Sequence, residues 1–137
     1  MDLIFCFWYN NNGDDMIVLI TGASSGIGRD MARYLSTKKY DLILVARDKE
    51  ELSKLRDELN TNVEIIPLDL SVGDNCKELY EKVKNKNIDI LINNAGFGDI
   101  GLFNKTDLNK ELNMINLNIN AVHILTKLFF WWFYKKR

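Results

Sequence analysis

The sequence predicts an α/β fold, a parallel sheet with helices on both faces, on three observations. Short apolar runs rich in Ile, Leu and Val recur at residues 16–20, 41–46, 63–68 and 88–92. Such continuous runs mark strands buried on both faces. Amphipathic stretches of helical period separate them, and a glycine-rich turn stands between the first run and the first helical stretch. Strand and helix alternating at this spacing imply βαβ units with right-handed crossovers.

Composition agrees with one globular domain. The chain has 137 residues, 47% of them hydrophobic and 27% charged, with 18 Lys and Arg against 19 Asp and Glu. Disorder, a collagen repeat and a disulfide scaffold are excluded on these values. A net charge of −1 supplies no field to gather nucleic acid or an anionic membrane, so neither is an expected partner. Cys6 and Cys76 lie far apart and form no metal or redox motif. No metal is expected, and the cysteines read as a reduced pair in a cytoplasmic protein. The apolar stretches at residues 1–9 and 128–134 are shorter than the roughly 20 residues that cross a bilayer. Asp2 also has the wrong sign for a secretory leader.

Residues 1–15 fit none of the later pattern. An apolar start runs into Asn10-Asn-Asn-Gly-Asp-Asp15, a turn-like polar stretch. They read as a leader or disordered extension, with Met16 as the start of the domain; the alternative is an arm packed through Phe5, Phe7 and Trp8. The domain then spans residues 16–128. Its first helix is marked by Ile27, Met31 and Leu35. The second is marked by Leu52, Leu55 and Leu59, with Glu50 and Lys54 at i,i+4 on the other face. The third carries Cys76, Leu79, Tyr80 and Val83, with Ser71 in its N-cap region.

The last helical stretch is apolar on two sides. Leu108, Leu112, Ile115, Ile119 and Val122 line one, and Met114, Leu117, Ala121, Leu125 and Leu128 the other. Such a helix needs more than its own sheet to cover it, so self-association, or a missing part of the domain, is expected there. The aromatic block at 129–134 fits neither a helix face nor a turn, and residues 129–137 read as an atypical aromatic and basic tail.

The strongest chemical signal is Thr21-Gly22-Ala23-Ser24-Ser25-Gly26-Ile27-Gly28, directly after the first strand and opening the first helix. Gly22 permits a sharp turn, Gly26 a close backbone approach to a pyrophosphate, and Gly28 close packing of the helix on the sheet. The helix N-terminus offers N–H groups and partial positive charge to phosphates. No Gly-Lys-Ser/Thr follows, so this is not a P-loop. The spacing G-x-x-x-G-x-G resembles the glycine motif of the short-chain dehydrogenase/reductase family. Asn93-Asn94-Ala95-Gly96, after the fourth strand, is similar to that family's second signature. The resemblance covers residues 16 to about 128 and implies a Rossmann-like, NAD(P)-binding fold, truncated here after the fourth strand and the following helix.

The resemblance implies that Thr21, Gly22, Ser24, Ser25, Gly26, Ile27 and Gly28 bind the cofactor. It places Asp69 against the adenine ring with Leu70 beside it, and Asn93, Asn94, Ala95 and Gly96 along the cofactor cleft. At the end of the second strand, an acid favours NAD through the ribose 2′-OH, and an Arg accommodates a 2′-phosphate. The chain has Arg47 there, followed by Asp48 as a cap for the next helix. NADP is therefore expected over NAD.

In this family a Tyr, activated by a Lys four residues later, moves the proton. A Ser polarises the substrate oxygen, and an Asn on the preceding helix anchors a water of the relay. A free Tyr, with pKa near 10, is a poor base at neutral pH. Asn118 falls on the Asn position, and Asn116 and Asn120 are near misses. Tyr34…Lys38 and Tyr80…Lys84 match the Tyr spacing but lie upstream, on crossover helices, and read as coincidence. His123 reads as an interface or surface residue. The catalytic Ser and Tyr-x-x-x-Lys are thus expected to be absent, with a frameshift or premature stop near residue 129. The expected function is NAD(P)-dependent carbonyl/alcohol oxidoreduction by descent, inactive in the free chain. A small carbonyl or alcohol substrate enters only if the missing half is supplied. The alternative is a non-enzymatic nucleotide-binding module, or a subunit that needs a partner chain.

Overall fold

The computed structural model describes residues 4–7 and 16–135. In chain order its elements are β1 (Ile4–Phe7), β2 (Ile17–Thr21), α1 (Gly26–Thr37), β3 (Asp41–Ala46), α2 (Lys49–Glu58), β4 (Val63–Pro67), α3 (Gly73–Val83), β5 (Ile88–Asn93), α4 (Leu108–Ile115), a π-helical turn (Asn116–Ala121) and α5 (Val122–Lys135).

The four apolar runs become β2, β3, β4 and β5, which pair in parallel in the order β5-β2-β3-β4. Val18, Ile20, Leu42 and Leu44 point into the layer of α1 and α2. Leu19, Ile43 and Val45 point into the layer of α3 and α5. Both faces of the central strands are covered, so their sequences read as unbroken apolar runs. β4 departs from that expectation: Glu64 and Pro67 are exposed. It is an edge strand, where a residue without an N–H costs no ladder bond.

The strand order reverses at β2, which has β3 on one side and β5 on the other. Reversal opens a crevice beyond the carboxyl ends of the strands, the usual ligand position in such sheets. The β2–β5 register shifts between Ile17 and Val18. There the Ile17 N–H donates to the buried Asp89 Oδ2 at 2.8 Å, a carboxylate standing in for a ladder carbonyl.

β1 pairs antiparallel with β5, Ile4 opposite Asn93 and Phe7 opposite Ile90. Four residues of the segment read as a leader or disordered extension thus pair at the sheet edge. Phe5, Phe7 and Cys6 lie outside the described side chains, and Trp8 outside the described residues.

The helices follow the predicted pattern with local corrections. α1 buries Gly28, Ala32 and Ser36, with Met31 and Leu35 alongside and Ile27 exposed. Small residues bring the helix close to the sheet and push the expected stripe to its flank. α2 buries Leu52 and Leu55, and Leu59 lies just past its end. Its Asp48 cap accepts from the Glu51 N–H at 3.0 Å, as its position predicts. Lys54 pairs with Glu51 at 2.6 Å rather than with Glu50. Ser71 is not the cap of α3: Val72 holds that position, and Ser71 donates both its N–H and its hydroxyl to Asp69 Oδ1.

The last helical stretch is broken by the π-helical turn. Ala121 and Leu125 of one predicted face are core, and Leu117 packs against it. Leu108, Leu112, Ile115 and Ile119 of the other are exposed. The aromatic block does not leave the helix, as the sequence suggested, but continues α5 to Lys135. Phe129 extends the Ala121–Leu125 spacing by one more turn and is fully buried, edge-on to Tyr80 at 5.5 Å between ring centres. The boundary drawn after residue 128 therefore falls inside a helix.

Among the described residues, no helix is long and apolar enough to cross a membrane, and no three His, Cys, Asp or Glu side chains could hold a metal ion. Cys76 is a free thiol, buried in the core, and burial pushes its pKa up to about 11.

Candidate functional site

The glycine loop is shaped by positive φ and by crowding. Gly22 has φ +67°, and a Cβ there would lie 2.7 Å from the Ala95 Cα. A Cβ on Gly28 would lie 2.3 Å from the Gly22 carbonyl oxygen and 2.4 Å from Asn94 Nδ2. The close packing at Gly28 is therefore against the loop and Asn94, where the sequence suggested the sheet. Gly26 has φ +51°, and a Cβ there would meet nothing within 4 Å, although the residue lines the main cleft. A side chain at that position would fill the space that bare backbone leaves to a ligand.

Two side chains tie the two signature motifs together. The Thr21 hydroxyl, fully buried, accepts from the N–H groups of Asn94 and Ala95, both at 3.0 Å. Asn94 Nδ2 donates to the Thr21 carbonyl at 3.0 Å and to the Gly22 carbonyl at 3.1 Å. These bonds hold the end of β5 against the glycine loop and satisfy backbone groups that no ladder reaches.

The N-terminus of α1 is left open. Its N-cap Ser25 makes no side-chain cap bond, and its first turn has no acidic residue. By contrast, Asp48 and Asp107 cap α2 and α4, and each of those helices has acid in its first turn. Uncapped N–H groups with the positive end of the helix dipole form an anion site.

These pieces wall a cleft of about 660 Å³ at the carboxyl ends of β2, β3 and β5. Gly22, Ser24, Ser25, Gly26 and Ile27 form the wall from the glycine loop. Asn94, Ala95 and Gly96 face them from the loop after β5. Asp69 and Leu70 come from the loop after β4. Asp69 spends Oδ1 on Ser71 and its carbonyl on Asn75 Nδ2, so it also orders the turn into α3. Arg47 stands exposed on the cleft wall at the end of β3, with no hydrogen-bond or ion-pair partner among the described residues.

Four predicted site residues do not line this cleft. Thr21 and Gly28 are buried behind it as supports. Asn93 turns the other way, and its Nδ2 donates to Thr126 Oγ1 on α5 at 3.2 Å. Asn93 is the last residue of β5 and Asn94 the first beyond it, and their side chains bond on different sides, to α5 and to the glycine loop. Asn118 sits in the π-helical turn and clamps the loop after β5: its Oδ1 accepts from the Phe97 N–H at 3.1 Å, and its Nδ2 donates to the Phe97 carbonyl at 2.8 Å. Both bonds tie the turn to the loop after β5. Asn116 and Asn120 bond each other at 2.9 Å, away from Phe97.

Asn118 also borders a shallow apolar groove with Ile119, Val122, His123, Thr126 and Phe130. Neither Tyr spacing reaches the main cleft. Tyr34 is exposed, with the Lys38 ammonium 5.3 Å from its ring centre, and Tyr80 packs on the core against Phe129. Sequence reasoning missed Arg29, Val45, Ala46, Asp48, Glu51, Leu68 and Leu117 as cleft residues. The placement of Arg29 directly after the last loop glycine was the available signal for one of them.

Comparison with known proteins agrees with this geometry. Residues 16–137 match the family described as short chain dehydrogenase. An 11-beta-hydroxysteroid dehydrogenase of Pinus massoniana is 33% identical over 125 residues, 82% of this chain and 35% of that protein. An uncharacterized oxidoreductase of Staphylococcus epidermidis is 34% identical over 117 residues, 81% of this chain and 50% of that protein. Among solved structures, a short-chain dehydrogenase from Sphingobium yanoikuyae in complex with NADPH superposes with a TM-score of 0.75 at 37% identity, covering 82% of this chain and 46% of that one. A metagenomic short-chain oxidoreductase in complex with NADP gives 0.77 at 29% identity, covering 82% and 54%. The chain spans about half or less of the length of these relatives.

Proposed function

The chain belongs to the short chain dehydrogenase family, and from that premise we propose that it is the cofactor-binding half of an NADP-dependent carbonyl/alcohol oxidoreductase. The observation that carries the reading is the division of labour between Arg47 and Asp48. Asp48 caps α2 through Oδ1, which accepts from the Glu51 N–H, and so has a structural task beside the cleft. Arg47, unengaged on the cleft wall, has the charge and forked geometry that suit a 2′-phosphate. The NADPH and NADP bound in the two solved relatives point the same way.

A bound nicotinamide dinucleotide supplies the hydride. The residues of this chain hold it. The open N-terminus of α1 and the bare backbone at Gly26 receive the pyrophosphate. Asp69 and Leu70 border the adenine, and Asn94, Ala95 and Gly96 wall the opposite side. Thr21, Gly28 and Asn93 act behind the cleft as supports. Asn118 fixes the loop through Phe97, which places its own helix relative to the reacting end.

Proton transfer and substrate choice are proposed to need residues other than these, because Tyr34 and Tyr80 both lie off the cleft. The test is NADPH oxidation by the purified chain with a panel of ketones. Cofactor binding without turnover is expected; ordinary turnover by the chain alone would contradict the division into halves. A cytoplasmic setting belongs to the same proposal, supported by the free thiol of Cys76.

A second reading is favoured by one observation, the exposed stripe of Leu108, Leu112, Ile115 and Ile119. Apolar side chains in a row at helical spacing fit self-association, or a subunit that works only beside a partner chain. Turnover that appears only with an added chain would favour it.

A further inference from the structure

We infer that β1 is a removable edge strand: it holds the edge of β5 that belongs to the next parallel strand, and it must leave before a completing half of the domain can dock there. The inference rests on the reading of the chain as a cofactor-binding half. The place of the next strand follows from the crossovers. α3 leads from β4 to β5 on the face opposite α1 and α2, and α5, which follows β5, packs in the layer of α3. Parallel connections are almost always right-handed. A crossover that leaves β5 on that face therefore sets its strand on the side of β5 away from β2. β1 occupies that side, with Ile4 opposite Asn93 and Phe7 opposite Ile90.

The two edges of the sheet differ. β4 carries Pro67, which has no N–H to offer, and the exposed Glu64, paired with Lys86 at 2.6 Å. Proline and charge close an edge to further strands. β5 has the opposite character, with all six residues buried, the pattern of an interior strand. β1 fills the place beside it imperfectly. It runs antiparallel in a sheet whose other pairs are parallel, and its ladder reaches only residues 90–93 of β5. On the α1 side, Ile90 and Ile92 continue into a groove of about 390 Å³ walled by Ile27, Met31, Tyr34 and Leu35. Ile27 and Tyr34 are exposed. A completing half suits both places, with a parallel strand along the whole of β5 and apolar side chains against α1. β1 belongs to the same chain as β5 and competes at high effective concentration. It acts as a brake on docking.

The test uses the full chain in three forms and one probe. The probe is the half of the Staphylococcus epidermidis oxidoreductase that this chain does not match, co-expressed as a separate tagged polypeptide. F5P with C6P puts proline at two successive positions of β1, one of which must direct its N–H toward β5. F7C with I90C, in a C6S background, joins two register partners by a disulfide and locks β1 in place. Hydrogen exchange of the chain alone comes first. The β5 amides that face β1 exchange about tenfold or more faster in the proline variant than in the oxidised lock, and those that face β2 do not change. Equal exchange in the two overturns the inference. Capture of the probe then rises about tenfold from wild type to the proline variant, is lost in the oxidised lock and returns on reduction. Equal capture by all three forms leaves the reading of a half standing and overturns the inference alone. Capture by none of them, with the exchange difference present, overturns that reading and the inference with it.

Discussion

The Thr21 hydroxyl lies 3.0 Å from the Asn94 backbone nitrogen, and this contact joins the two halves of the cleft. Thr21 ends β2 and Asn94 follows β5, so the pair bridges the point where the strand order reverses. The same oxygen accepts from Ala95 and donates to the Ile92 carbonyl. T21V keeps the shape and removes the acceptor, leaving the buried Asn94 N–H and the part-buried Ala95 N–H unsatisfied. A loss of about 2–4 kcal/mol is expected in urea unfolding, with T21S recovering most of it. Equal stability of T21V and wild type would show that the hydroxyl does not join the loops.

Gly26 and Gly28 separate binding from stability. G28A places a methyl within 2.4 Å of the Gly22 carbonyl and Asn94 Nδ2, and about 1–3 kcal/mol of destabilisation is expected from overpacking. G26A meets no atom, costs roughly 1–2 kcal/mol for its left-handed backbone, and should abolish dinucleotide binding by filling the approach. Thermal melts beside a nucleotide titration distinguish the two. Nucleotide binding that survives G26A would move the pyrophosphate away from this loop.

Burial raises the Cys76 thiol from its ordinary 9.0 to about 11. The unfolded chain releases the thiol proton at lower pH than the folded chain. The contribution to stability is therefore complete below pH 9 and is lost as pH rises from about 9 to 11. C76A should flatten the stability curve in that window relative to wild type. Native Cys76 should also resist a thiol reagent at pH 8 until the chain is unfolded. Fast labelling of folded protein would contradict its burial.

The exposed stripe on α4 and the π-helical turn has its own test. The chain should self-associate with rising concentration in sedimentation velocity, and L112S with I119S should shift it toward monomer. A wild-type monomer at every concentration would remove self-association through this face.

Much of this arrangement was legible in the sequence because it is written in local chemistry. The strands are continuous apolar runs, and Asp48 precedes by three residues the N–H it caps. The glycine spacing requires its loop. What escaped was set by tertiary geometry. Asn93 and Asn94 look alike in sequence, and only the end of β5 between them separates the one bonded to α5 from the one bonded to the glycine loop. The aromatic block hides a helical position at Phe129 because every neighbour is also aromatic. The π-helical turn at Asn118 changes which side chains meet the loop after β5, and no residue pattern announces it. Arg29 was missed because its relation to Glu51 exists only once α1 lies beside α2.

The decisive measurement is a fluorescence titration of the purified chain with NADPH and with NADH. NADPH should bind, and bind about tenfold or more tightly than NADH, through a 2′-phosphate contact of charge-assisted strength. Binding of neither dinucleotide, or NADH binding as tightly as NADPH, would contradict an NADP site built from the glycine loop and Arg47.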